Sequence, residues 1–430
     1  MTAAKSKKKK QKLKRLDGRK PTMTLPIFMG VFGLLLIASA AHQYLTRPEP
    51  GGIPPLVEIN LPVSEETNAL SLEEIQEQGL IIDVHEHIES LKVAPVYIEA
   101  MDDLGIAKVC LMGSSKFTLT MNERYGFTGY DENNNALIDI VNAYPGRFEA
   151  WPTLSPTDPN NLTKLKDLVA RGATGVKLYN GHGYLTRTEE PEFLFHPVAM
   201  DAPNMLPVYA YCEENFIPIC IHVNPYDDGT HRGKPGFAEE FIAVLTQFPN
   251  LKVDAPHFIL SSVHSARFEE FMDTFPNVYS NISFGDSFMK ERLIYISKNP
   301  RKFTNLFHKY ADRLMFASDL VLDEVAVRAG RKTPAWVKQQ MQAYIDMLSK
   351  KKYASPHILD ETGKPMELNG LDLPGHIIEA VLYKNYLRFS EMKPTDTKIT
   401  REIDWSKMGR NREPIEREPG QAFPPRKKPN

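Results

Sequence analysis

Eight short runs of apolar and β-branched residues recur along the chain, and their spacing limits the possible folds more than any other feature. The runs start 26 to 43 residues apart, and the segments between them have the period of amphipathic helices, as in Leu162–Ala170 and Phe237–Phe248. Strands that alternate with helices form a parallel sheet, so eight such units predict an α/β fold, specifically a (β/α)8 TIM-like barrel. The sixth run is the weakest, because Asp254 and Pro256 are poor strand residues. The predicted strands are Leu80–His85, Ala107–Met112, Phe148–Pro152, Gly175–Tyr179, Pro218–Val223, Lys252–His257, Val278–Ile282 and Leu314–Ser318.

The N-terminal segment differs in charge from the rest of the 430-residue chain. Residues 1–20 carry ten Lys or Arg and one acid, a net charge of +9, while the other residues carry 42 basic and 53 acidic groups, a net charge of −11. Residues 21–46 contain no charged side chain, and Leu25–Ala41 is almost wholly apolar. We therefore predict a basic cytoplasmic segment over residues 1–23 and a transmembrane anchor over residues 24–45, with the chain after it exported.

A cleaved signal peptide is the alternative for this apolar segment, because Ala38-Ser39-Ala40 fits a small-residue cleavage site. The body of the protein would then be secreted; otherwise it is a periplasmic or extracellular domain held at the membrane. Residues 46–70 are rich in proline and glycine, which is typical of a linker. Residues 71–390 form the predicted barrel, and residues 391–430 form a charged, proline-containing tail that we expect to be extended and weakly ordered.

Composition excludes several classes of protein. An apolar fraction of 42% excludes a disordered chain, and three cysteines are too few for a disulfide scaffold. The lysine cluster at the N-terminus is explained by the apolar segment beside it, and the remainder of the chain is acidic. We therefore expect no nucleic-acid partner. The expected partners are a small-molecule substrate, the membrane and, through the helical segment Asp323–Lys352, a second copy in a homodimer; that segment could equally be a lid or an outer helix.

Ionisable side chains occur at the carboxyl ends of several predicted strands, where barrel enzymes carry their active sites. His85 and His87 are two residues apart on the first strand, so their imidazoles point to the same side. With His222 from the fifth strand and Asp319 after the eighth, they form a mixed nitrogen and oxygen set that Zn²⁺ accepts. Each residue alone is more often structural, so the prediction of a divalent metal site depends on their joint occurrence.

Other polar residues are candidates for substrate binding. Lys177 lies in the fourth strand, His182 follows that strand, and Arg232 lies in the loop after the fifth strand. Both loops are polar and contain glycine, and Arg187 and His231 lie in them as well. These side chains could hold an acidic substrate, although solvated loops have the same composition.

From about Leu80 to Phe389 the chain resembles the amidohydrolase superfamily, in its branch of amidohydrolase-related hydrolases and decarboxylases. The matching motifs are IIDVHEH, CIHVNP, PNLKVDAPH, FPNVYSNIS, RLMFASD and, around Asn385, LPGHIIEAVLYKNYLRFS. The sequence departs from the family pattern at two places. No glycine pair follows His257, which leaves His264 as the fallback for the histidine of the sixth strand, and no proline follows the segment of Asp319.

The resemblance implies a role for each residue of the site. The three histidines named above would bind metal, and Asp319 would be a ligand or a proton shuttle. His257 would be a ligand or would polarise the bound water. Lys177, if carboxylated, would bridge two metal ions; otherwise it would contact an anionic group of the substrate.

These roles lead to an expected function with two alternatives. The first is a membrane-anchored, exported, metal-dependent hydrolase that attacks a lactone, amide or ester carbonyl with metal-bound hydroxide, while Asp319 and His257 act as catalytic residues. The same residues permit non-oxidative decarboxylation of a small carboxylic acid. The third possibility is a binding protein that has kept the fold and lost the chemistry, which the complete set of site residues disfavours.

Overall fold

The computed structural model describes residues 69–122, 125–181, 199–224 and 237–408. The predicted membrane segment, residues 24–45, lies outside the described residues, as do nearly all of the linker and the end of the tail. Within the described ranges, every helix is too short or too polar to cross a membrane.

Eight parallel strands follow one another in chain order. Strands β1 to β3 pair in sequence, as do β4 to β8. The two sets meet where Lys177 donates its backbone N–H to the carbonyl of Pro152 at 2.9 Å, and where Val84 donates to Phe316 at 3.1 Å. These bonds close the ring, so the predicted barrel is confirmed. The strands are β1 Ile81–Ile88, β2 Ile106–Met112, β3 Phe148–Trp151, β4 Val176–Gly181, β5 Ile219–Val223, β6 Val253–Asp254, β7 Val278–Asn281 and β8 Leu314–Met315.

Helices lie between the strands, as the sequence period predicts. The first begins at a capping box, in which Ser71 Oγ accepts from the backbone N–H of Glu74 at 3.2 Å and the Glu74 carboxylate accepts from Ser71 at 2.8 Å. The α-helices are α1 Leu72–Glu77, α2 Ala94–Leu104, α3 Lys116–Thr120, α4 Tyr130–Ala143, α5 Asn161–Ala170, α6 Leu206–Glu214, α7 Ala238–Gln247, α8 Ser265–Thr274, α9 Gly285–Lys298, α10 Pro300–Lys309, α11 Glu324–Arg328, α12 Pro334–Ser349, α13 Gly375–Glu379 and α14 Asn385–Glu391. Short 3₁₀ turns occur at Leu91–Val93 and Trp405–Met408.

The chain after β8 adds elements outside the barrel. Strand β9, Val321–Leu322, extends the sheet beside β1. An antiparallel hairpin of β10, Lys352–Leu359, and β11, Pro365–Asn369, follows α12. The segment that we predicted to be helical therefore holds α11 and α12 and ends where the hairpin begins.

The last helices hold β8 in place. A π-helical turn, Ala380–Lys384, joins α13 to α14. Its Val381 carbonyl accepts the backbone N–H of Phe316 at 2.9 Å. Asn385 donates its side-chain amide to the carbonyls of Ala311 and Leu314, both at 2.7 Å.

Part of the expected tail is packed against the barrel, contrary to our expectation of an extended arm. Arg401 contacts the Glu270 carboxylate at 2.6 Å, and the backbone N–H of Asp404 donates to the same carboxylate at 2.6 Å. Thr397 donates its N–H to Asn250 at 2.9 Å. The physical reason is the buried Glu270 carboxylate, which requires cationic and hydrogen-bonding partners that this part of the tail provides.

Candidate metal centre

Three side chains lie close together at the carboxyl-terminal face of the barrel, two of them on the first strand and one after the eighth. His85 and His87 lie buried on β1 with their Nε2 atoms 3.2 Å apart. Asp319, which follows β8, has its Oδ1 atom 3.1 Å from Nε2 of His87 and 3.5 Å from Nε2 of His85. The backbone N–H of Asp319 donates to the carbonyl of His85 at 2.8 Å, so a barrel-closing bond sets their separation.

The contacts of His87 decide which ring nitrogen faces the centre. Its Nδ1 atom lies 3.3 Å from the carbonyl oxygen of Met112 and 2.7 Å from Oγ of Ser114. A carbonyl oxygen can only accept, so Nδ1 carries the hydrogen and Nε2 presents its lone pair to Asp319. Nε2 of His87 and Oδ1 of Asp319 lie 3.1 Å apart, and both carry lone pairs, so a proton or a cation must lie between them. This pair therefore fits a divalent cation.

His257 is oriented in the same way from the opposite side. Its Nδ1 atom lies 2.9 Å from both the carbonyl oxygen and Oγ of Ser283, so Nδ1 is the donor. Its Nε2 atom lies 3.8 Å from Oδ2 of Asp319. Burial lowers the pKa of His257 to about 4, and the neighbouring Asp319 carboxylate offsets only part of this effect. The imidazole is therefore neutral at pH 7.

The turn that presents His257 has an unusual backbone. His257, Phe258, Ile259 and Leu260 all have positive φ angles, from 49° to 62°. Glycine adopts this region without strain, whereas each other L-residue is disfavoured there. The sequence lacks the glycine pair that is expected after His257, and the structure shows bulky residues at these positions in a backbone conformation that suits glycine. Burial of Phe258 and Ile259 in the core holds the turn.

Asp319 also adopts a left-handed conformation, with φ of 59°. Burial raises the pKa of its carboxyl group, but attraction to the His257 and His87 imidazoles in their protonated form outweighs burial, so the pKa lies below the ordinary value. The carboxylate is therefore ionised at neutral pH. Its two oxygens have different neighbours, with Oδ1 between the histidines of β1 and Oδ2 toward His257.

Lys177 lies beside His85 of the centre and is fully buried. Its Nζ atom lies 3.2 Å from Nε2 of His85 and 3.4 Å from Sγ of Cys220. Among the described side chains, no carboxylate lies within ion-pair distance of it. Burial, followed by the charge of Lys177, holds the pKa of His85 well below its usual range.

Asp254 lies beneath His85. Its Oδ2 atom accepts from the Asn281 amide at 2.7 Å, while Oδ1 has no hydrogen-bond partner among the described residues. Burial raises the pKa of Asp254 to about 7, against the opposing effects of Asn281 and Lys177. Asp254, Cys220 and His85 form a second set whose ligand atoms lie within 4.8 Å of one another.

Two more carboxyl groups on β1, those of Asp83 and Glu86, stabilise the position of the strand. Asp83 accepts the backbone N–H of His85 at 3.1 Å and the hydroxyl of Ser318 at 2.8 Å. Glu86 contacts Ser318 and Tyr97. Burial raises the pKa of Asp83 to about 7 and that of Glu86 well above its ordinary value. These groups tie β1 to the segment after β8.

Sequence reasoning missed Asn281, Ser283 and Ser114. Each follows or ends a strand of the barrel, which is a signal that the sequence contains. These side chains are neutral, so the pattern of ionisable residues at strand ends does not include them. In the structure they contact the imidazoles that face the centre.

The remaining predicted site residues fall into three groups. His222 lies beside the centre, with its ring centroid 5.0 Å from that of His257, but it is outside the described sets of closely spaced ligand atoms. The fallback His264 is exposed before α8, so the sixth-strand histidine of the site is His257. The loop residues His182, Arg187, His231 and Arg232 lie outside the described residues.

Comparison with known proteins identifies one family. The model of a family described as amidohydrolase matches residues 113–388, which is more than half of the chain. The His85–His87 pair lies before the matched segment. No curated protein shows significant sequence similarity to the chain.

The chain is also similar to several solved structures. An uncharacterised TIM-barrel protein from Bordetella bronchiseptica is 16% identical over 72% of this chain and 97% of that chain, with a TM-score of 0.46. A probable 2-pyrone-4,6-dicarboxylic acid hydrolase from Acinetobacter baumannii is 14% identical over 73% and 99%, with a TM-score of 0.45. A 5-carboxyvanillate decarboxylase from Novosphingobium aromaticivorans, in complex with manganese and 4-hydroxy-3-methoxy-5-nitrobenzoic acid, is 15% identical over 73% and 96%, with a TM-score of 0.43.

Proposed function

Because the chain belongs to the amidohydrolase family, we propose that it is a metal-dependent hydrolase in which His85, His87 and Asp319 hold one divalent cation. One observation carries the proposal: Oδ1 of Asp319 lies 3.1 Å from Nε2 of His87 and 3.5 Å from Nε2 of His85. We propose Zn²⁺, because two imidazoles and a carboxylate are donors that it accepts. His222 remains a proposed further ligand.

The side chains around the centre support acid–base chemistry on a carbonyl substrate. A divalent cation at this place would polarise a substrate oxygen and lower the pKa of water. Asp319 is ionised and has Oδ2 directed away from the β1 histidines, so it can accept a proton from water and pass it to a leaving group. His257 presents a hydrogen-free Nε2 atom, so it can accept a hydrogen bond from the same water. The expected substrate is a lactone, amide or ester.

Non-oxidative decarboxylation is the second candidate, and Lys177 is the observation that favours it. A buried cationic amine without a carboxylate partner among the described residues favours a substrate that carries negative charge. A small carboxylic acid meets this requirement. His182 and Arg232 are proposed to contribute further contacts to such a substrate.

The number of metal ions depends on the state of Lys177. If carbon dioxide adds to its amine, the resulting carbamate would supply two oxygen ligands and permit a second ion with His222 and His257. Intact-protein mass spectrometry at neutral pH in bicarbonate tests this alternative, since the carbamate adds the mass of one carbon dioxide. Lys177→Ala is the control that must lack the added mass.

We also propose that residues 24–45 anchor the enzyme in a membrane, with residues 1–23 cytoplasmic and the barrel exported. The support comes from the sequence, in which ten Lys or Arg precede an uncharged apolar segment. Fractionation of cells that produce the full chain tests this. Recovery in the membrane fraction after alkaline carbonate extraction supports an anchor, release of a shortened soluble protein supports the signal-peptide alternative, and full-length soluble protein contradicts both.

Metal analysis combined with activity measurement tests the proposed enzyme. The purified full chain is expected to contain about one equivalent of a divalent transition metal, and His85→Ala to lose both metal and activity. His264→Ala, which changes an exposed histidine outside the centre, is the matched control. Fewer than about 0.5 equivalents of any transition metal in the wild-type protein, with no loss in His85→Ala, would contradict the proposal and favour a non-catalytic binding protein.

A substrate panel separates the two reactions. Lactones, amides and esters report hydrolysis, and hydroxybenzoate-like or muconate-like acids report carbon dioxide release. Turnover of the acids alone would replace the hydrolase with the decarboxylase.

A further inference from the structure

The second nitrogen of His85 has a different kind of neighbour from those of the other two imidazoles. Nδ1 of His87 faces the carbonyl of Met112, and Nδ1 of His257 faces the carbonyl of Ser283. Such acceptors hold the hydrogen on Nδ1 and leave Nε2 free to bind a cation. Nδ1 of His85 instead lies 3.2 Å from the amide nitrogen of Asn281.

The orientation of the Asn281 amide follows from its other contacts. Its Oδ1 atom faces three donors, which are the hydroxyl of Ser283 at 2.7 Å, the backbone N–H of Ser283 at 3.3 Å and the backbone N–H of His257 at 3.4 Å. Its Nδ2 atom donates to the Asp254 carboxylate at 2.7 Å. Rotating the amide would place nitrogen against two backbone N–H groups and oxygen against a carboxylate, so the nitrogen must face His85.

This arrangement opposes cation binding by His85. When Nε2 of His85 binds a cation, the hydrogen of the neutral ring must be on Nδ1, where it would point at the N–H groups of Asn281. The other neighbour of Nδ1 is Sγ of Cys220 at 3.9 Å, which is a weak acceptor. When the His85 ring binds a cation through Nε2, its Nδ1 therefore makes an unfavourable contact with the Asn281 amide. The ring also lacks the strong hydrogen-bond acceptor at Nδ1 that strengthens a ligating histidine.

We propose that Asn281 is a positioning residue that directs an N–H group at Nδ1 of His85, disfavours a hydrogen on that nitrogen and thereby limits how tightly the centre binds a divalent cation. Asp254 holds the Asn281 amide in this orientation. The inference rests on the proposed metal-dependent function and adds to it a residue that regulates the affinity of the centre.

The double variant Asn281→Asp/Asp254→Asn tests this inference, because it replaces the donor that faces His85 with an acceptor and leaves the net charge unchanged. The amide at position 254 can then donate to the new carboxylate where the two side chains now lie 2.7 Å apart. The variant is expected to bind Zn²⁺ at least about tenfold more tightly than wild type by competition titration against a chromogenic chelator. Loss of a merely structural residue would weaken binding, so the direction of the change distinguishes the two roles. Asp254→Asn alone keeps the Asn281 donor toward His85, so it is the control and is expected to show no gain in affinity.

A second measurement does not depend on metal. In ¹⁵N-histidine spectra of the metal-free protein, the fraction of His85 rings that carry the hydrogen on Nδ1 is expected to be higher in the double variant than in wild type, with the signal assigned from its loss in His85→Asn. Equal or weaker Zn²⁺ binding by the double variant, or an unchanged Nδ1 signal, would overturn the inference. If neither protein binds a divalent cation, the proposed function fails, while the nitrogen spectra still decide the role of Asn281.

Discussion

A β-carbon on Gly285 would stand 2.9 Å from Oδ2 of Asp319. Gly285 begins α9 with φ of +69°, so any side chain there would meet both backbone strain and the carboxylate of the centre. We predict that Gly285→Ala displaces Asp319 and lowers kcat/KM on the order of 100-fold, as a shift of about 1 Å commonly does. Metal content and kcat/KM are the measurements.

Gly330→Ala is the matched control for this change. Gly330 has nearly the same φ, +68°, but no atom of the described part of the chain lies within 4 Å of the position that a β-carbon would take. Both variants should lose about 1 to 2 kcal/mol of stability from the backbone alone. Only Gly285→Ala should lose activity; equal activity in the two variants would mean that the contact with Asp319 is unimportant.

The hydroxyl of Ser114 lies 2.7 Å from Nδ1 of His87, and its loss should weaken the centre. We predict that Ser114→Ala raises the Kd for Zn²⁺ about tenfold, at the low end of the range for partners of ligating histidines, because the carbonyl of Met112 remains as an acceptor. The neighbouring Ser115→Ala is the control. It removes the N-cap of α3 and so costs about 1 kcal/mol of stability, but it should leave the Kd unchanged. A Kd for Ser114→Ala within twofold of wild type would contradict the prediction.

The raised pKa of Asp254 makes metal-free stability depend on pH. The folded carboxyl group has a pKa of about 7, above its value of about 4 in the unfolded chain, so the folded state binds a proton that the unfolded state has released between these values. The contribution of Asp254 to the free energy of unfolding should therefore fall by about 1.4 kcal/mol per pH unit as pH rises from about 4 to 7.

Asp254→Asn should reduce this slope, because the amide has no proton to lose. The remaining slope should combine Asp83 and Glu86, whose pKa values burial also raises, with the opposite contribution of His85 and His257, whose pKa values burial lowers. Urea unfolding of the two metal-free proteins at several pH values measures the difference. Parallel curves for wild type and Asp254→Asn would show that Asp254 keeps an ordinary pKa.

The left-handed turn after His257 leads to a stabilising substitution. Leu260 is exposed and has φ of 49°, so replacing it by glycine removes backbone strain and little packing. We predict that Leu260→Gly is more stable than Leu260→Ala by about 1 kcal/mol, although glycine ordinarily destabilises. Thermal unfolding of the two variants gives the comparison, and a lower melting temperature for Leu260→Gly would contradict it.

The barrel strands can be predicted from the sequence because they are mostly buried and most of their residues are apolar or β-branched. Even the weak sixth run is correct in position, although β6 is only Val253–Asp254. The hairpin could not be found in this way. Strand β10 packs on α12 with one face, so its buried and exposed residues alternate and no apolar run marks it. The packed part of the tail depends on a buried Glu270, whose burial no local pattern reveals.

The site was predictable where chemistry depends on ionisable groups at strand ends. His85, His87 and Asp319 converge, with His257 and Lys177 beside them. The residues that orient the imidazole rings were not predictable. A neutral serine or asparagine acts on a ring only through contacts between segments that are far apart in the chain. The backbone of the turn after His257 was not predictable either, because its residues are ordinary core types held in a left-handed conformation by packing.

The hydrogen bonds that close the barrel also set the spacing of the ligands. Along this seam Val84 bonds to Phe316, Asp319 to His85, and His87 to Leu320, joining segments more than 230 residues apart in the chain. A cation held by His85, His87 and Asp319 would act as a cross-link between the first and last strands. Its binding free energy would oppose opening of the ring at this seam, so resistance to unfolding should rise with free cation concentration. In such a protein, metal supply governs lifetime as well as turnover.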